Sequence, residues 1–176
     1  MTDRVGGAVS AGSGGLTHLN ADGEARMVDV SDKPVTVRTA TAAGRVRLSP
    51  ACVAALRSGD VPKGDALAVA RIAGIMAAKK TPELVPLCHP LMISGVDVVA
   101  EVTDDGVDLR ATVKTNERTG VEMEALTAVS VAGLAVVDMV KAIDRDATIT
   151  DVRVVAKSGG RSGDYRRADE PLAVDR

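Results

Sequence analysis

A thiol and an imidazole stand side by side in the run Pro86-Leu87-Cys88-His89-Pro90. The two prolines restrict the backbone on either side, so the pair is expected on a stiff, extended loop. Such loops often carry binding or catalytic side chains, although a buried thiol beside a hydrogen-bonded histidine would fit the same run. Adjacent side chains on an extended chain point to opposite faces, which argues against activation of Cys88 by His89 as a nucleophile.

Asp138 and Lys141 bring an acid and a base together later in the chain. Asp138 is the first charged residue after the uncharged stretch 125–137, and Lys141 follows three residues later. This i, i+3 spacing places both side chains on one face of a helix. The pair is either a surface ion pair or, if partial burial shifts both pKa values, a proton-transfer pair.

Two carboxylates, Glu122 and Glu124, flank Met123 at the start of the same predicted helix. Acidic residues there favour the positive end of the helix dipole, so a capping role is one interpretation. Glu124 and Asp138 are fourteen positions apart, which corresponds to about 21 Å along a helix axis. If both residues serve one small ligand, two subunits must build the site.

Lysines stand where an anion would be bound. Lys63 precedes Gly64-Asp65 at the start of a predicted helix, where free backbone N–H groups suit a phosphate. Lys157 begins the basic, glycine-rich run 157–163, whose backbone can approach an anion closely. A solvated loop lysine and a flexible charged tail are the alternatives. The Walker A spacing and a G-x-G-x-x-G motif after a strand are both absent, which argues against P-loop hydrolysis and dinucleotide binding.

Support for a metal site is weak. Zinc would have to draw on Cys52, Cys88, His18 and His89, and no C-x-x-C or H-x-x-x-H spacing occurs. We expect no metal and no other cofactor. The two cysteines give no disulfide framework and indicate a reducing compartment.

Composition narrows the function classes further. A chain of 176 residues with 45% hydrophobic and 26% charged residues fits one folded domain. Its net charge of -2, the absence of Trp and Phe and the single Tyr165 argue against a nucleic-acid binder. The N-terminus lacks the apolar core of a signal peptide, and the uncharged stretch 125–137 is shorter than a bilayer span. We therefore expect a soluble, cytoplasmic protein that binds neither nucleic acid nor membrane.

The elements that position these residues follow from periodicity and caps. Strands are predicted over 35–48, with Gly44 as the point where the strand would break, and over 149–156; a hairpin of 95–102 and 107–114 surrounds Asp105-Gly106. Helices are predicted from the Ser49 cap to Gly59, over 65–80 and over 122–144. This order is typical of an α+β, ferredoxin-like antiparallel sheet with helices on one face, here with one additional helix.

Two features predict how the helices pack. Gly74, inside the second helix, predicts a close approach of backbones. The stretch 125–137 carries no charge on any side, which predicts a helix buried nearly all round. Because a sheet covers only one side of such a helix, a second subunit is expected to cover the other side.

Eight motifs, taken in order, resemble the MoaC family of cyclic pyranopterin monophosphate synthases over residues 16–165. They are Leu16-Thr17-His18, Met27-Val28-Asp29-Val30, Lys63-Gly64-Asp65, Ala70-Arg71-Ile72-Ala73-Gly74, and the stretches 86–90, 119–127, 138–142 and 156–164. Arg161 and Tyr165 stand where the family commonly has Lys and Phe, and residues 1–14 form an extra tail.

The resemblance implies a lyase of molybdenum cofactor biosynthesis. Its substrate would be the cyclised dihydro-GTP made by a radical-SAM GTP cyclase, and its products cyclic pyranopterin monophosphate and pyrophosphate. A homohexamer arranged as a trimer of dimers, with sites at dimer interfaces, is also implied. Residues 1–15 would then be a flexible N-terminal tail, 16–157 a single ferredoxin-like catalytic domain, and 158–176 a Gly-rich basic loop and C-terminal tail.

The resemblance also implies roles for individual residues. Asp138 and Lys63 match the acid/base residues. The positions that match substrate contacts are Leu87, Cys88, His89, Met123 and Glu124, and those that match further site positions are Glu122, Lys141 and Lys157. Two other interpretations are a non-catalytic nucleotide-binding or assembly module on the same scaffold and a hydrolase that depends on Cys88.

Overall fold

The structure is a computed structural model that describes residues 22–170. The expected tail over residues 1–15 and the candidate zinc ligand His18 lie outside the described residues. Five strands form one antiparallel sheet in the order β2-β3-β1-β4-β5. The strands are β1 (Thr36–Arg47), β2 (Ile93–Val102), β3 (Gly106–Glu117), β4 (Thr148–Ser158) and β5 (Tyr165–Arg166). The order of the first four is that of the ferredoxin-like plan, so the predicted α+β class is confirmed.

The predicted hairpin is confirmed as β2 and β3. Thr103 N–H donates to the Gly106 carbonyl at 2.9 Å, and the paired register runs from Val102 opposite Val107 to Ile93 opposite Thr115. The predicted break of the first strand is wrong, because β1 is continuous through Gly44. The irregularity lies in its pairing with β4. The register shifts between Thr41 and Ala42 and again between Ala43 and Arg45, and Asp151 of β4, at the second shift, has a positive φ of 56°.

Four helices connect the strands: α1 (Pro50–Ser58), α2 (Ala66–Ala78), α3 (Thr81–Leu84) and α4 (Glu122–Val140). The predicted Ser49 cap is present, since Ser49 Oγ accepts from Cys52 N–H at 3.4 Å. Asp65, predicted as the first residue of the second helix, is instead its N-cap, because Asp65 Oδ1 accepts from Ala68 N–H at 2.9 Å. The single-turn helix α3 was not predicted. It occupies the short interval between Lys80 and the proline-bounded loop.

The long helix ends at Val140, four residues before the predicted end at Asp144. The Asp144 carboxylate instead accepts hydrogen bonds from the backbone N–H groups of Ser49, at 2.5 Å, and Asp146, at 3.1 Å. These bonds lower the pKa of Asp144, although its burial acts in the opposite direction, and they connect the end of α4 to the start of α1. An aspartate whose side chain accepts hydrogen bonds from backbone N–H groups outside the helix stabilises a turn there, and so the helix ends before it.

Small residues let α2 and α4 lie against each other and on one face of the sheet. Those buried on the two helices are Ala66, Ala70, Gly74, Ala77, Ala78, Ala125, Ala128, Ala132 and Gly133. A Cβ added to Gly74 would lie 2.9 Å from the Ala128 carbonyl oxygen. The predicted close approach at Gly74 is therefore confirmed.

Burial of α4 is one-sided in the single chain. Leu134 is 58% exposed, so one side of the helix is open in the single chain. This is the side that a second subunit is expected to cover, and its burial stays a prediction. By length and composition α4 could cross a membrane, because its most apolar 18 residues have a mean hydropathy of 1.7. Half of these residues, however, are buried within the fold. Its contacts with β1, β3, β4 and α2 are those of a core helix.

A short strand follows β4 within the described residues. Tyr165 and Arg166 form β5, which pairs with Lys157 and Ala156 at the edge of β4. Glu170 then contacts Arg153 and lies 3.4 Å from Arg110.

The contact at Gly74 yields a stability prediction. We expect Gly74→Val to lower the free energy of unfolding by about 1–3 kcal/mol, because an overpacked core forces backbone shifts. The matched control is Gly95→Val, where an added Cβ meets no atom within 4 Å. Urea denaturation at one protein concentration measures both, and equal stability of Gly74→Val and the wild type would contradict the close α2–α4 packing.

Candidate active site

The described residues bring the sequence candidates together in two groups, one at each end of α4. The first, which we call the lysine–carboxylate cluster, contains Lys63, Asp138 and Lys141. Lys63 Nζ lies 2.7 Å from Asp138 Oδ2, and Lys141 Nζ lies 2.8 Å from Asp138 Oδ1. The predicted pairing of Asp138 with Lys141 is thereby confirmed, and Lys63 joins the same carboxylate from the loop before α2.

Local sequence explains how Lys63 reaches α4. Gly64 has a φ of 91°, a left-handed conformation that glycine adopts without steric cost. Its N–H donates to the Val61 carbonyl at 2.9 Å, which closes a tight turn, and Asp65 caps α2 immediately afterwards. The turn leaves the Lys63 side chain against the last turn of α4. In this chain Lys63 therefore binds a carboxylate rather than standing alone beside the helix N-terminus.

The electrostatics of the cluster come from ion pairs and not from burial. Hydrogen bonds from Lys141 and then Lys63 lower the pKa of Asp138 to about 2. The Asp138 side chain is 55% exposed, so the expected shift by partial burial is not what holds it ionised. At neutral pH the carboxylate is an anion held between two ammonium groups, which is a proton acceptor beside two proton donors.

The second group lines a cavity of about 370 Å³ at the beginning of α4. We call this cavity the groove. Six predicted site residues line it: Leu87, Cys88, His89, Glu122, Met123 and Glu124. The proline-bounded run forms the predicted loop, where Cys88 N–H donates to the Val85 carbonyl at 3.0 Å. The loop therefore faces the first turn of α4 across the groove.

Two groove residues have raised pKa values. Glu124 is 2% exposed, and burial followed by the charge of Glu122 raises its pKa, against a lowering hydrogen bond from its own backbone N–H. Burial, and next the charge of Glu124, raises the pKa of the Cys88 thiol. A thiol held protonated in this way is a poor nucleophile, so the structure disfavours the Cys88-dependent hydrolase.

A smaller cavity of about 190 Å³ adjoins the groove, and we call it the cationic pocket. Both cavities are lined by Lys33, Thr119, Gly120 and Glu122, while Arg38, Lys157, Gly159 and Ser162 belong to the cationic pocket alone. Lys157 Nζ lies 3.0 Å from Glu122 Oε1 and donates to Ser162 Oγ at 3.2 Å. A lysine and an arginine that line the same pocket are suited to a phosphate or another anion.

Sequence reasoning missed Lys33 and Arg38. Arg38 is 9% exposed and shares the core-facing side of β1 with Ala40 and Ala42. Its Nε donates to the Glu117 carbonyl at 2.9 Å. A charged residue in register with core alanines was the available signal, since such a residue is buried only with partners. No comparable pattern distinguishes Lys33.

The two groups are far apart within one chain. Glu122 and Asp138 stand sixteen positions apart on one helix, a separation of about 24 Å along its axis. The structure therefore does not bring all ten predicted site residues together: seven lie at the groove and cationic pocket, and Lys63, Asp138 and Lys141 lie at the other end.

The described residues also bear on metal binding. Among residues 22–170 no group of three or more His, Cys, Asp or Glu side chains is arranged to hold a metal ion. Cys52 is fully buried in α1, and Cys88 faces the groove; both are free thiols.

The raised pKa of Cys88 leads to a prediction on its reactivity. We expect iodoacetamide to alkylate Cys88 more slowly at pH 7 than an unperturbed thiol, because less thiolate is present. Glu124→Gln removes a negative charge beside the thiol and is expected to lower its pKa and speed the alkylation several-fold. Peptide mapping by mass spectrometry separates Cys88 from Cys52.

Glu101→Gln, an exposed position on β2, serves as the control and is expected to leave the rate unchanged. Alkylation of Cys88 faster than that of a free thiol would contradict the electrostatic account of the groove.

Comparisons with known proteins place the chain in a family. The MoaC family model matches residues 27–160. Relatives named cyclic pyranopterin monophosphate synthase include one from Streptomyces griseus, 68% identical over 152 residues that cover 86% of each chain, and one from Nostoc, 55% identical over 157 residues that cover 87% of this chain and 92% of the relative. A relative from Mycobacterium tuberculosis, named cyclic pyranopterin monophosphate synthase 2, is 54% identical over 164 residues and covers 93% of this chain and 98% of its own. The chain belongs to the MoaC family.

Proposed function

We propose that this protein is a lyase of molybdenum cofactor biosynthesis, which converts 3',8-cyclo-7,8-dihydroguanosine 5'-triphosphate to cyclic pyranopterin monophosphate and releases pyrophosphate. Family membership over most of the chain and the names of its relatives support this activity. The structural observation that carries the proposal is one carboxylate, Asp138, held between two lysines within 2.8 Å. Such a group suits a ring rearrangement that needs a placed proton donor and acceptor.

The groove and the cationic pocket have the chemistry to hold such a substrate. Lys33, Arg38 and Lys157 supply positive charge for the phosphate chain. His89 and Glu124 offer hydrogen bonds to a polar ring system, and Met123 and Leu87 offer aliphatic contact where no Phe or Trp exists to stack.

Asp138 and Lys63 are proposed to exchange protons with the substrate, and Lys141 to hold the Asp138 carboxylate in place. In the single chain this cluster is open to solvent, with the Asp138 side chain 55% exposed. Acid/base catalysis is more effective where water is excluded, because electrostatic interactions are stronger there. A second surface over the cluster would provide that environment.

The second surface is proposed to be the groove of another subunit. The catalytic domain would then assemble as a homohexamer, a trimer of dimers, with each site built by two subunits. The separation of the two groups along α4 supports this assembly, as do the exposed apolar side chains Ile72 and Met76 on α2 and Leu134 on α4. A rigid helix cannot bend its two ends toward one small molecule.

The chemistry of the substrate also implies its source. A radical-SAM GTP cyclase is proposed to supply the cyclised nucleotide, and a cytoplasmic location would match this supply. No cofactor or metal is assigned to the reaction. The alternative of a non-catalytic nucleotide-binding or assembly module on the same scaffold is less well supported, because relatives over most of the chain carry the name of an enzyme.

Replacement of the central carboxylate tests the proposal. We expect Asp138→Asn to reduce the rate of pyrophosphate release from the cyclised substrate by about a hundredfold or more, because the amide cannot accept the proton. Asp104→Asn is the matched control, since its carboxylate is exposed on the β2–β3 turn and pairs only with Arg57 in the described structure. The oligomeric state of each variant is checked first.

The two possible failures have different meanings. A folded wild type that releases no pyrophosphate at saturating substrate would contradict the lyase and favour the binding module. A wild type that releases pyrophosphate alongside a fully active Asp138→Asn would retain the lyase and remove Asp138 from its chemistry.

A further inference from the structure

The turn between β4 and β5, residues 159–164, forms one wall of the cationic pocket, and we call it the glycine loop. Gly159 and Ser162 of this loop line the pocket together with Arg38 and Lys157. Ser162 Oγ accepts a hydrogen bond from Lys157 Nζ at 3.2 Å. The position of the glycine loop therefore affects where the cationic groups of the pocket stand.

The glycine loop rests directly on β1. Gly159 and Gly160 have φ values of 83° and 79°. A Cβ on Gly159 would collide with the Val37 carbonyl oxygen, and a Cβ on Gly160 would collide with the Arg38 guanidinium. Two consecutive glycines in this conformation let the backbone reach the arginine that lines the pocket.

Asp164 holds the two ends of the glycine loop together. Its Oδ1 accepts a hydrogen bond from Gly159 N–H at 3.1 Å, across the base of the loop. The Gly163 N–H donates to the Gly160 carbonyl at 3.2 Å within it. The residue after Asp164 begins β5, where Tyr165 pairs with Lys157. Asp164 itself is exposed and is not among the residues that line the pocket.

We propose that Asp164 is a positioning residue for anion binding: by accepting the Gly159 N–H it keeps the glycine loop against Arg38 and so fixes Arg38 and Lys157 for a phosphate group. This inference rests on the proposed function only in taking the anion during turnover to be the phosphate chain of the substrate. Removal of the acceptor frees the loop, and an anion must then order the loop as it binds.

Inorganic pyrophosphate is the probe, and isothermal titration calorimetry of the full chain measures its binding. We expect Asp164→Ala to weaken pyrophosphate binding by about tenfold, as the loss of one hydrogen bond and of loop order would do. Asp164→Asn keeps an acceptor oxygen at the same place and is expected to bind within about threefold of the wild type. Asp169→Ala, on the same C-terminal segment but outside the pocket lining, is the matched control and is expected to bind as the wild type does.

The separate effects on KM and kcat distinguish a positioning role from a general loss of structure, which would lower kcat as well. Asp164→Ala is expected to raise KM for the cyclised substrate by a similar factor while kcat stays within about twofold of the wild type. Thermal unfolding of each variant checks that the fold persists. Gly160→Ala places a methyl group against the Arg38 guanidinium and so moves the glycine loop away from it. This variant is therefore expected to weaken pyrophosphate binding as well.

Several results would overturn the inference: pyrophosphate binding by Asp164→Ala or Gly160→Ala equal to that of the wild type, a loss in Asp164→Asn as large as in Asp164→Ala, or no binding by the wild type. A fall in kcat with unchanged affinity would also overturn it. If pyrophosphate binding follows the expected order but no variant and no wild type turns over the substrate, the inference stands and the proposed function fails.

Discussion

The rigidity of α4 is the constraint on which the rest of the structure depends. Small buried residues hold this helix against α2 and one face of the sheet, as at Gly74 and the Ala128 carbonyl. Glu124 stands in its first turn and Asp138 in its last, about 21 Å apart along the axis. Because a packed helix keeps that distance, the groove and the lysine–carboxylate cluster of one chain do not meet. We infer that a complete site needs a second copy of the chain.

Several lysines of the candidate site are paired with carboxylates, so a chain with a net charge of -2 can still present cationic groups to a polyanion. Three lysines of the site have carboxylate partners: Lys63 and Lys141 have Asp138, and Lys157 has Glu122. These pairs are short but partly exposed, so each contributes little to stability and can be exchanged for a better partner. A phosphate chain bound in the cationic pocket would compete with Glu122 for Lys157.

Much of this arrangement could be predicted from residue types and spacing, because it is local. The β2–β3 hairpin follows from Asp105-Gly106, the cap of α1 from Ser49, and the Asp138–Lys141 pair from its i, i+3 spacing. The features that were missed depend on contacts between distant segments. Asp144 ends α4 by bonding Ser49, Arg38 enters the cationic pocket from β1, and Tyr165 pairs with β4 as part of an added strand. Neither the Asp144–Ser49 bond nor the pairing of Tyr165 has a period or a motif within its own segment, whereas Arg38 lies in the same period as the core alanines of β1.

Mixed oligomers test the central claim, that one site is built by two chains, most directly. Asp138→Asn leaves the groove intact, and Lys157→Ala leaves the lysine–carboxylate cluster intact. When the two inactive variants are refolded together in equal amounts, random pairing gives sites that combine both intact parts, and we predict about a quarter of the wild-type rate of pyrophosphate release. No recovery of activity, in mixtures shown to have exchanged subunits, would contradict a shared site and place the whole reaction within one chain.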